Sequence, residues 1–283
     1  MCRLYGFLAT EPTQLDCSLV EAQNALFVQS DRDRRGIRNP DGWGIAEWVS
    51  GIPYVTKNTH PAFADRRFLD AAATTYSHAV IAHVRAATVG KVALENSHPF
   101  DNGTWAFAHN GTIENIEHVA THLDTGTYGP PQGDTDSELV FRWILNRMNR
   151  FGLDPDKPAG GLEPVLDLIE DSIQDLIRIS LTAGAEEIPK LNFVISDGRH
   201  LVASRWGNSL YWVFRKGISD CAFCGSSHCP SASEGYRAAA VASEPITEED
   251  WIEVPEGTLL GIDSDITTQT RRLVSWPTAT VDH

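Results

Sequence analysis

The 283-residue sequence has no hydrophobic run that approaches the roughly 20 residues of a membrane-spanning helix. Its first residues lack the basic and then apolar segments of a secretory signal, and no internal repeat or low-complexity tract occurs. Basic residues are scarce, since 23 lysines and arginines against 38 aspartates and glutamates give a formal net charge of −15. We therefore expect a cytoplasmic protein that binds a small molecule and neither nucleic acid nor a membrane.

Cysteine is also scarce. The five cysteines are odd in number and unevenly spaced, which argues against the framework of a secreted, disulfide-rich protein. In the segment CAFCGSSHC, Cys221, Cys224 and His228 have the spacing of a zinc-binding hairpin. The sequence has no second cysteine pair to complete such a site, so a reduced hairpin is the favoured interpretation and we expect no cofactor.

Local patterns predict the order of the elements. Apolar residues at helical spacing predict helices over 18–30, 134–151 and 162–184. A nearly continuous apolar run from residue 78 predicts a strand that is buried on both faces. Strand-rich segments at the two ends, with helices between them, favour an α+β fold over regular βαβ alternation.

The short segment MCRLYGFL places Cys2 directly after Met1 and before a predicted strand. Initiator methionine is normally removed when the next residue is small, and removal would leave Cys2 with both a thiol and a free α-amine. The amine, with an ordinary pKa of about 8, can act as the base that a cysteine nucleophile needs. A small buried side chain at the start of a strand is the alternative.

Two further segments carry groups that suit an amino-acid substrate. In AFAHNGTI, Asn110 and Gly111 can donate an amide and an unshielded backbone N–H to an oxyanion, or they can simply form a hairpin turn. In HVRAATVG, Arg85 and Thr88 can hold a carboxylate. For Arg85, a buried structural ion pair is the alternative.

The segment GDTDSEL opens a predicted helix. Asp134 or Thr135 can cap it, which leaves Asp136 in the first turn, where the helix dipole favours a carboxylate. Asp136 can equally bind a substrate ammonium. A nucleophile, an oxyanion hole, a carboxylate clamp and an ammonium clamp together describe an amino acid attacked at its side-chain carbonyl, so glutamine or a γ-glutamyl amide fits.

The segments NPDGWGIA, AHVRAATVG, ENSHPF, WAFAHNG and GDTDSE follow Cys2 in the order seen in class-II glutamine amidotransferases. The sequence resembles this family, and most closely its stand-alone branch without a synthase domain, which includes γ-glutamyl hydrolases of ergothioneine biosynthesis. The resemblance implies the four-layer αββα sandwich of N-terminal-nucleophile hydrolases and a reaction that needs no cofactor. It also implies that Cys2 is the nucleophile and that Asn110 and Gly111 form the oxyanion hole.

The resemblance places the other candidate residues around the substrate: Arg85 and Thr88 at its α-carboxylate, Asp136 at its α-ammonium, and Trp43, Gly44 and His98 nearby. The sequence departs from the family at two positions. Ala86 stands where many members have an aromatic residue, and Val89 stands where some have histidine. Both departures predict a pocket that is wider or less selective for free glutamine.

We expect a single domain over 1–283, with the motifs in 2–152, a helical insert at about 155–185, and a β-rich part over 190–275 that completes the sandwich. The expected reaction cleaves the γ-amide of glutamine or a γ-glutamyl compound through a Cys2 thioester. The alternatives are a γ-glutamyl hydrolase of the ergothioneine-pathway type, a glutaminase subunit that supplies ammonia to a separate synthase, and a protein that binds γ-glutamyl metabolites without turnover.

Overall fold

The computed structural model describes residues 2–124, 130–217 and 235–273. Within these ranges the strands form two antiparallel sheets. The first sheet contains β1 (Arg3–Gln14), β2 (Trp43–Val49), β3 (Ile52–Asn58), β4 (Tyr76–Val84), β9 (Tyr211–Lys216), β10 (Arg237–Ala242) and β11 (Ile252–Glu253). Their order across the sheet is β11-β9-β10-β1-β4-β2-β3, so β1 lies at its centre.

The second sheet has six described strands. They are β5 (Phe100–Asn102), β6 (Trp105–Thr112), β7 (Lys190–Ser196), β8 (Leu201–Arg205), β12 (Thr258–Ile262) and β13 (Thr268–Arg272). Their order is β13-β12-β8-β7-β6-β5. The strands that follow residue 190 therefore join both sheets, and β10 pairs with β1 with Tyr5 opposite Ala242.

Helices cover the outer faces of the two sheets. The described α-helices are α1 (Leu26–Asp31), α2 (Arg66–Thr74), α3 (Ile116–Ala120), α4 (Asp136–Arg147) and α5 (Leu162–Thr182), and shorter helical turns lie at Cys17–Glu21, Ala62–Ala64, Leu94–Asn96 and Met148–Phe151. The first two α-helices pack on the first sheet, and the other three pack on the second. No helix in the described ranges is long and apolar enough to cross a membrane.

Alternation along β1 sends its side chains into two cores. Leu4 faces the second sheet, whereas Tyr5 and Phe7 face the helices. At Gly6 the sheets approach so closely that a Cβ atom would lie 2.8 Å from a methyl group of Val194. The layers are thus helix, sheet, sheet and helix, which confirms the predicted α+β class and αββα sandwich.

One predicted helix is wrong in detail. The segment 18–30 is divided into the turn Cys17–Glu21 and helix α1, because Ala22 adopts an extended conformation with φ −64° and ψ 157°. The backbone N–H of Asn24 donates to the carbonyl of Ile246 at 3.1 Å. The acceptor of this N–H lies more than 200 residues away in the sequence, so the local spacing of apolar residues could not predict the contact.

Candidate active site

Cys2 lies at the start of β1, where its half-buried thiol contacts the Ala86 backbone. The Ala86 N–H donates to Sγ at 3.3 Å, and Sγ lies 3.3 Å from the Ala86 carbonyl oxygen. Burial raises the pKa of the Cys2 thiol, although the Ala86 hydrogen bond and the charges of Arg85 and Arg3 partly oppose this effect. To attack as a thiolate, a thiol in this position would need a nearby proton acceptor.

Arg3 fixes the backbone of Cys2, a role that the sequence analysis missed. Its guanidinium donates to the Cys2 carbonyl at 2.9 Å, to Asp33 at 2.5 Å and to Glu244 at 3.0 Å. All three charged side chains are buried. The signal in the sequence is an arginine at the start of a strand that is otherwise apolar, since such a side chain needs buried anions.

The DGWG segment holds the backbone next to Cys2. The N–H of Asp41 donates to the Arg85 carbonyl at 2.9 Å, and the N–H of Arg85 donates to the Gly42 carbonyl at 2.8 Å. The Asp41 carboxylate also accepts a hydrogen bond from the Ala87 N–H at 2.7 Å. These bonds position the segment whose Ala86 contacts the thiol.

The Arg85 side chain is buried and stabilises the loop that follows it. Its two Nη atoms donate to the carbonyls of Lys91 and Val89 at 3.0 and 2.9 Å. The described side chains offer it no carboxylate partner, so the structural ion pair is not observed there. Arginine has more N–H donors than these two bonds use, which leaves donors for a ligand carboxylate. Thr88 is exposed in the same loop.

Asn110 and Gly111 lie inside β6, which continues to Thr112 with Asn110 opposite Asn192. The segment is therefore a strand and not a hairpin turn. By alternation, Asn110 shares the side of Ala108, which packs against the first sheet. Cys2 directly precedes β1, and the alternation that turns Leu4 toward the second sheet puts Cys2 on the same side of the first sheet.

Gly111 cannot be replaced without movement of its neighbours. A Cβ atom there would lie 1.8 Å from the Lys190 carbonyl oxygen and 2.4 Å from Nε2 of His109. Real Cβ atoms essentially never approach so closely. The close passage of β7 therefore requires glycine at this position.

Asp136 is the first residue of α4 and is buried. Its Oδ2 accepts a hydrogen bond from the Ile113 N–H at 2.9 Å, and its Oδ1 accepts one from the Ser137 N–H at 2.8 Å. Thr135 caps the helix through the Glu138 N–H at 3.3 Å. Asp136 is thus hydrogen-bonded to the residue that directly follows β6, the strand that contains Asn110 and Gly111.

The Arg85 loop also packs against the start of α4. A Cβ atom on Gly90 would lie 2.5 Å from Oδ1 of Asp134 and 3.1 Å from the side chain of Thr135. The Asn96 amide bridges the two segments, since it donates to the Lys91 carbonyl at 3.0 Å and also to the Asp134 carboxylate. This packing brings the loop that carries Arg85 next to the helix that begins with Asp136.

Trp43 belongs to the core beneath the helices. Its Nε1 donates to Asp65 at 2.9 Å, and its ring meets Phe68 edge to face at 5.2 Å. These described contacts explain its burial without a ligand. Its neighbour Gly44 has a different constraint, because a Cβ atom there would lie 2.2 Å from the His98 carbonyl oxygen.

His98 packs against His83, with ring centroids 4.3 Å apart. Both side chains are buried, and their ring nitrogens have no hydrogen-bond partner among the described residues. Burial, reinforced by the charge of Arg85, lowers the pKa of His83 to about 3, and burial also holds the pKa of His98 well below its usual value. The two imidazoles are therefore neutral, and no described contact joins them to Cys2.

The weak zinc candidates Cys221, Cys224 and His228 lie outside the described residues. The metal interpretation of that segment remains a prediction from its sequence alone.

Solved structures of other proteins share this fold. A structure from Pseudomonas aeruginosa, described as a predicted glutamine amidotransferase, aligns with a TM-score of 0.62 and 24% identity over 93% of this chain and 98% of its own. The glutamine phosphoribosylpyrophosphate amidotransferase of Bacillus subtilis aligns with a TM-score of 0.61 and 18% identity over 96% of this chain and 49% of its own. These likenesses show that the chain shares the fold of these structures.

The chain belongs to the class-II glutamine amidotransferases, whose family model matches residues 1–277. A relative from Saccharomyces cerevisiae, the probable glutamine amidotransferase DUG3, is 31% identical over 93% of this chain and 82% of its own. The γ-glutamyl-hercynylcysteine sulfoxide hydrolase of Mycobacterium tuberculosis is 28% identical over 74% of this chain and 78% of its own. This membership makes the chain part of a family of hydrolase-type enzymes.

Proposed function

We propose that the chain hydrolyses the γ-amide bond of glutamine or of a γ-glutamyl compound, with Cys2 as the nucleophile. The observation that carries this proposal is the position of the half-buried Cys2 thiol, directly before β1 and against the Ala86 backbone. The thiol accepts a hydrogen bond from the Ala86 N–H, and alternation along β1 puts it on the side of the second sheet, which contains Asn110. The residue before Ala86 is the buried Arg85, which suits the substrate α-carboxylate.

The reaction begins after removal of Met1, which frees the α-amine of Cys2. That amine takes the thiol proton while Sγ forms a bond to the γ-carbonyl carbon. The side-chain amide of Asn110 and the N–H of Gly111 stabilise the oxyanion. Collapse of the tetrahedral intermediate breaks the bond from carbon to nitrogen, and the ammonium of Cys2 protonates the departing ammonia or amine.

Water completes the cycle. The free amine of Cys2 accepts a proton from water, whose oxygen attacks the thioester carbonyl. The bond from carbon to Sγ then breaks, the ammonium of Cys2 returns a proton to Sγ, and glutamate leaves. Arg85 and the hydroxyl of Thr88 hold the α-carboxylate, and Asp136 holds the α-ammonium. Because burial raises the pKa of the Cys2 thiol, attack needs a base for its proton, and the scheme gives this role to the α-amine of Cys2.

A γ-glutamyl hydrolase is the second candidate function. The small side chain of Ala86, whose backbone contacts Sγ, suits a leaving group larger than ammonia. The mycobacterial relative is named for hydrolysis of γ-glutamyl-hercynylcysteine sulfoxide, which carries such a leaving group. Delivery of ammonia to a separate synthase subunit is a third arrangement of the same chemistry.

The test measures glutamate release from glutamine and from a panel of γ-glutamyl amides, with Met1 removal verified by mass. Cys2→Ala should abolish release, whereas the matched variant Cys17→Ala, at a buried cysteine in the core under α1, should retain it. Release by the Cys2→Ala protein would overturn the proposal. Binding of γ-glutamyl compounds without any release would identify a binding protein, and release that rises only with an added synthase would identify an ammonia-supplying subunit.

A further inference from the structure

His109 lies in β6 directly before the Asn110–Gly111 pair, and its buried ring has two partners. Nε2 lies 2.9 Å from the Lys190 carbonyl oxygen, and Nδ1 lies 2.9 Å from Oγ of Ser137. Lys190 belongs to the strand that passes beside Gly111, and Ser137 follows Asp136 in α4. The ring therefore connects the two parts of the site that act on different ends of the substrate.

The partners fix the proton on this ring. A carbonyl oxygen can only accept a hydrogen bond, so Nε2 carries the hydrogen. Burial lowers the pKa of His109, although the charge of Asp136 opposes the shift. The ring is therefore neutral, and Nδ1 accepts a hydrogen bond from the Ser137 hydroxyl.

This arrangement has a consequence for Asp136. The Ser137 hydroxyl has one proton and donates it to His109, although its oxygen also lies 3.3 Å from Oδ1 of Asp136. Oδ1 then receives only the Ser137 N–H, so its remaining lone pairs stay available to a cation. The neutral imidazole keeps Asp136 free for a substrate ammonium.

The other nitrogen of the ring acts on the oxyanion hole. The Lys190 carbonyl that accepts from Nε2 is the atom that would lie 1.8 Å from a Cβ atom at Gly111. The imidazole thus holds the carbonyl that borders Gly111 and sets how β7 passes the strand that would bind the oxyanion.

We propose that His109 and Ser137 are positioning residues that couple the ammonium anchor Asp136 to the oxyanion hole at Asn110 and Gly111. The inference rests on the proposed function, because each ring nitrogen acts through another residue on a group that would bind a different part of one γ-glutamyl substrate. Neither residue needs to touch that substrate.

Conservative variants can break the two bonds of His109 one at a time. In His109→Gln the amide nitrogen can reach the position of Nε2 and keep the bond to Lys190, but the bond to Ser137 is lost. In His109→Asn the amide reaches the position of Nδ1 and keeps Ser137, but the bond to Lys190 is lost. Ser137→Ala removes the hydroxyl and leaves the ring in place.

The substrates are γ-glutamyl-p-nitroanilide and its glutaryl analogue, which lacks the α-ammonium. His109→Gln should raise KM for the γ-glutamyl substrate about tenfold, the upper end expected for one hydrogen bond, with kcat and the glutaryl KM nearly unchanged, because the Ser137 hydroxyl then donates to Asp136. Adding Ser137→Ala to His109→Gln should restore KM, because no hydroxyl remains to donate to Asp136. His109→Asn should lower kcat about tenfold for both substrates. His118→Gln, at an exposed histidine in α3, serves as the matched control.

A measurement of ligand binding makes the test independent of turnover. In the Cys2→Ala background, His109→Gln should weaken binding of γ-glutamyl-p-nitroanilide about tenfold and leave binding of the glutaryl analogue unchanged, as measured by calorimetry. Adding Ser137→Ala should restore binding of the γ-glutamyl ligand. The coupling would be overturned if all three variants showed the same fall in kcat and the same rise in KM. It would also be overturned if binding of the γ-glutamyl and glutaryl ligands weakened equally. A wild-type protein that binds but does not cleave would contradict the proposed function and leave the binding measurement to decide the role of Ser137.

Discussion

At the scale of the residue, the candidate site depends on positions where the backbone of another segment comes very close. Gly111 is bordered by the Lys190 carbonyl, and Gly44 by the His98 carbonyl. At both positions the chemistry assigned to the site needs the backbone in place, and a side chain would push it away. We therefore expect substitution of either glycine to lower activity by displacing the backbone of the site.

Gly111→Ala tests this view directly. The added methyl group would overlap the Lys190 carbonyl, so we expect a loss of about 3 kcal/mol in the free energy of unfolding and no measurable hydrolysis. Urea unfolding and glutamate release check the two effects. Gly160→Ala is the control, because a Cβ atom at Gly160 has no neighbour within 4 Å. An active, fully stable Gly111→Ala protein would show that the strand is not held in this way.

At the scale of the element, the start of β1 is held by a buried ion triad. Arg3 joins this strand to Asp33 in the loop after α1 and to Glu244 after β10. Loss of the arginine leaves the two carboxylates buried without an opposite charge, which costs more than the loss of any exposed pair.

Arg3→Met should therefore lower the free energy of unfolding by about 4 kcal/mol and abolish hydrolysis, because the Cys2 backbone also loses its partner. Chemical denaturation and activity measure the two results. Arg66→Met, which removes an exposed pair with Asp70 at 3.8 Å, should change stability by less than about 1 kcal/mol. Similar small effects for both variants would show that the triad does not hold β1.

The hairpin between β7 and β8 contains a buried histidine whose charge affects stability. Burial alone would lower the pKa of His200, but the hydrogen bond and charge of Asp197, with the charge of Asp263, outweigh it and raise the pKa. A raised folded pKa gives stability that is complete below the unfolded value of about 6.5 and is lost as pH rises through the folded value.

His200→Gln should remove this dependence. Between pH 5.5 and 9, the wild type should lose stability relative to the variant as pH rises above about 6.5. Urea unfolding across this range measures the difference between the two proteins. Parallel curves, or a wild type that gains stability relative to the variant with rising pH, would contradict the assignment.

At the scale of the whole molecule, the proposed chemistry depends on the distance between the sheets, since Cys2 and Asn110 belong to different sheets. Gly6→Ala places a methyl group against Val194 and Leu201 at this interface. We expect the free energy of unfolding to fall by about 2 kcal/mol. We also expect kcat to fall by more than the decrease in the folded fraction explains. A kcat that follows only the folded fraction would show that the sheet spacing does not limit catalysis.

Much of this architecture could be predicted from the sequence. The helix from Leu162 and the strands after residue 190 follow local patterning, and the order of the motifs indicated the sandwich. What the sequence could not reveal depends on contacts between distant segments. The break between the Cys17–Glu21 turn and α1 depends on Ile246, the triad of Arg3 depends on Glu244, and the continuation of the strand through Asn110 and Gly111 depends on its pairing with β7.

The central claim is that Cys2, freed of Met1, is the nucleophile for a γ-glutamyl substrate. The most direct measurement is the intact mass of the protein before and after treatment with 6-diazo-5-oxo-norleucine, a glutamine-shaped electrophile. We predict a chain that lacks Met1 and gains one adduct, which peptide mapping assigns to Cys2 and which Cys2→Ala abolishes. A processed chain that gains its adduct at another residue, or whose Cys2→Ala variant gains the same adduct, would contradict the claim.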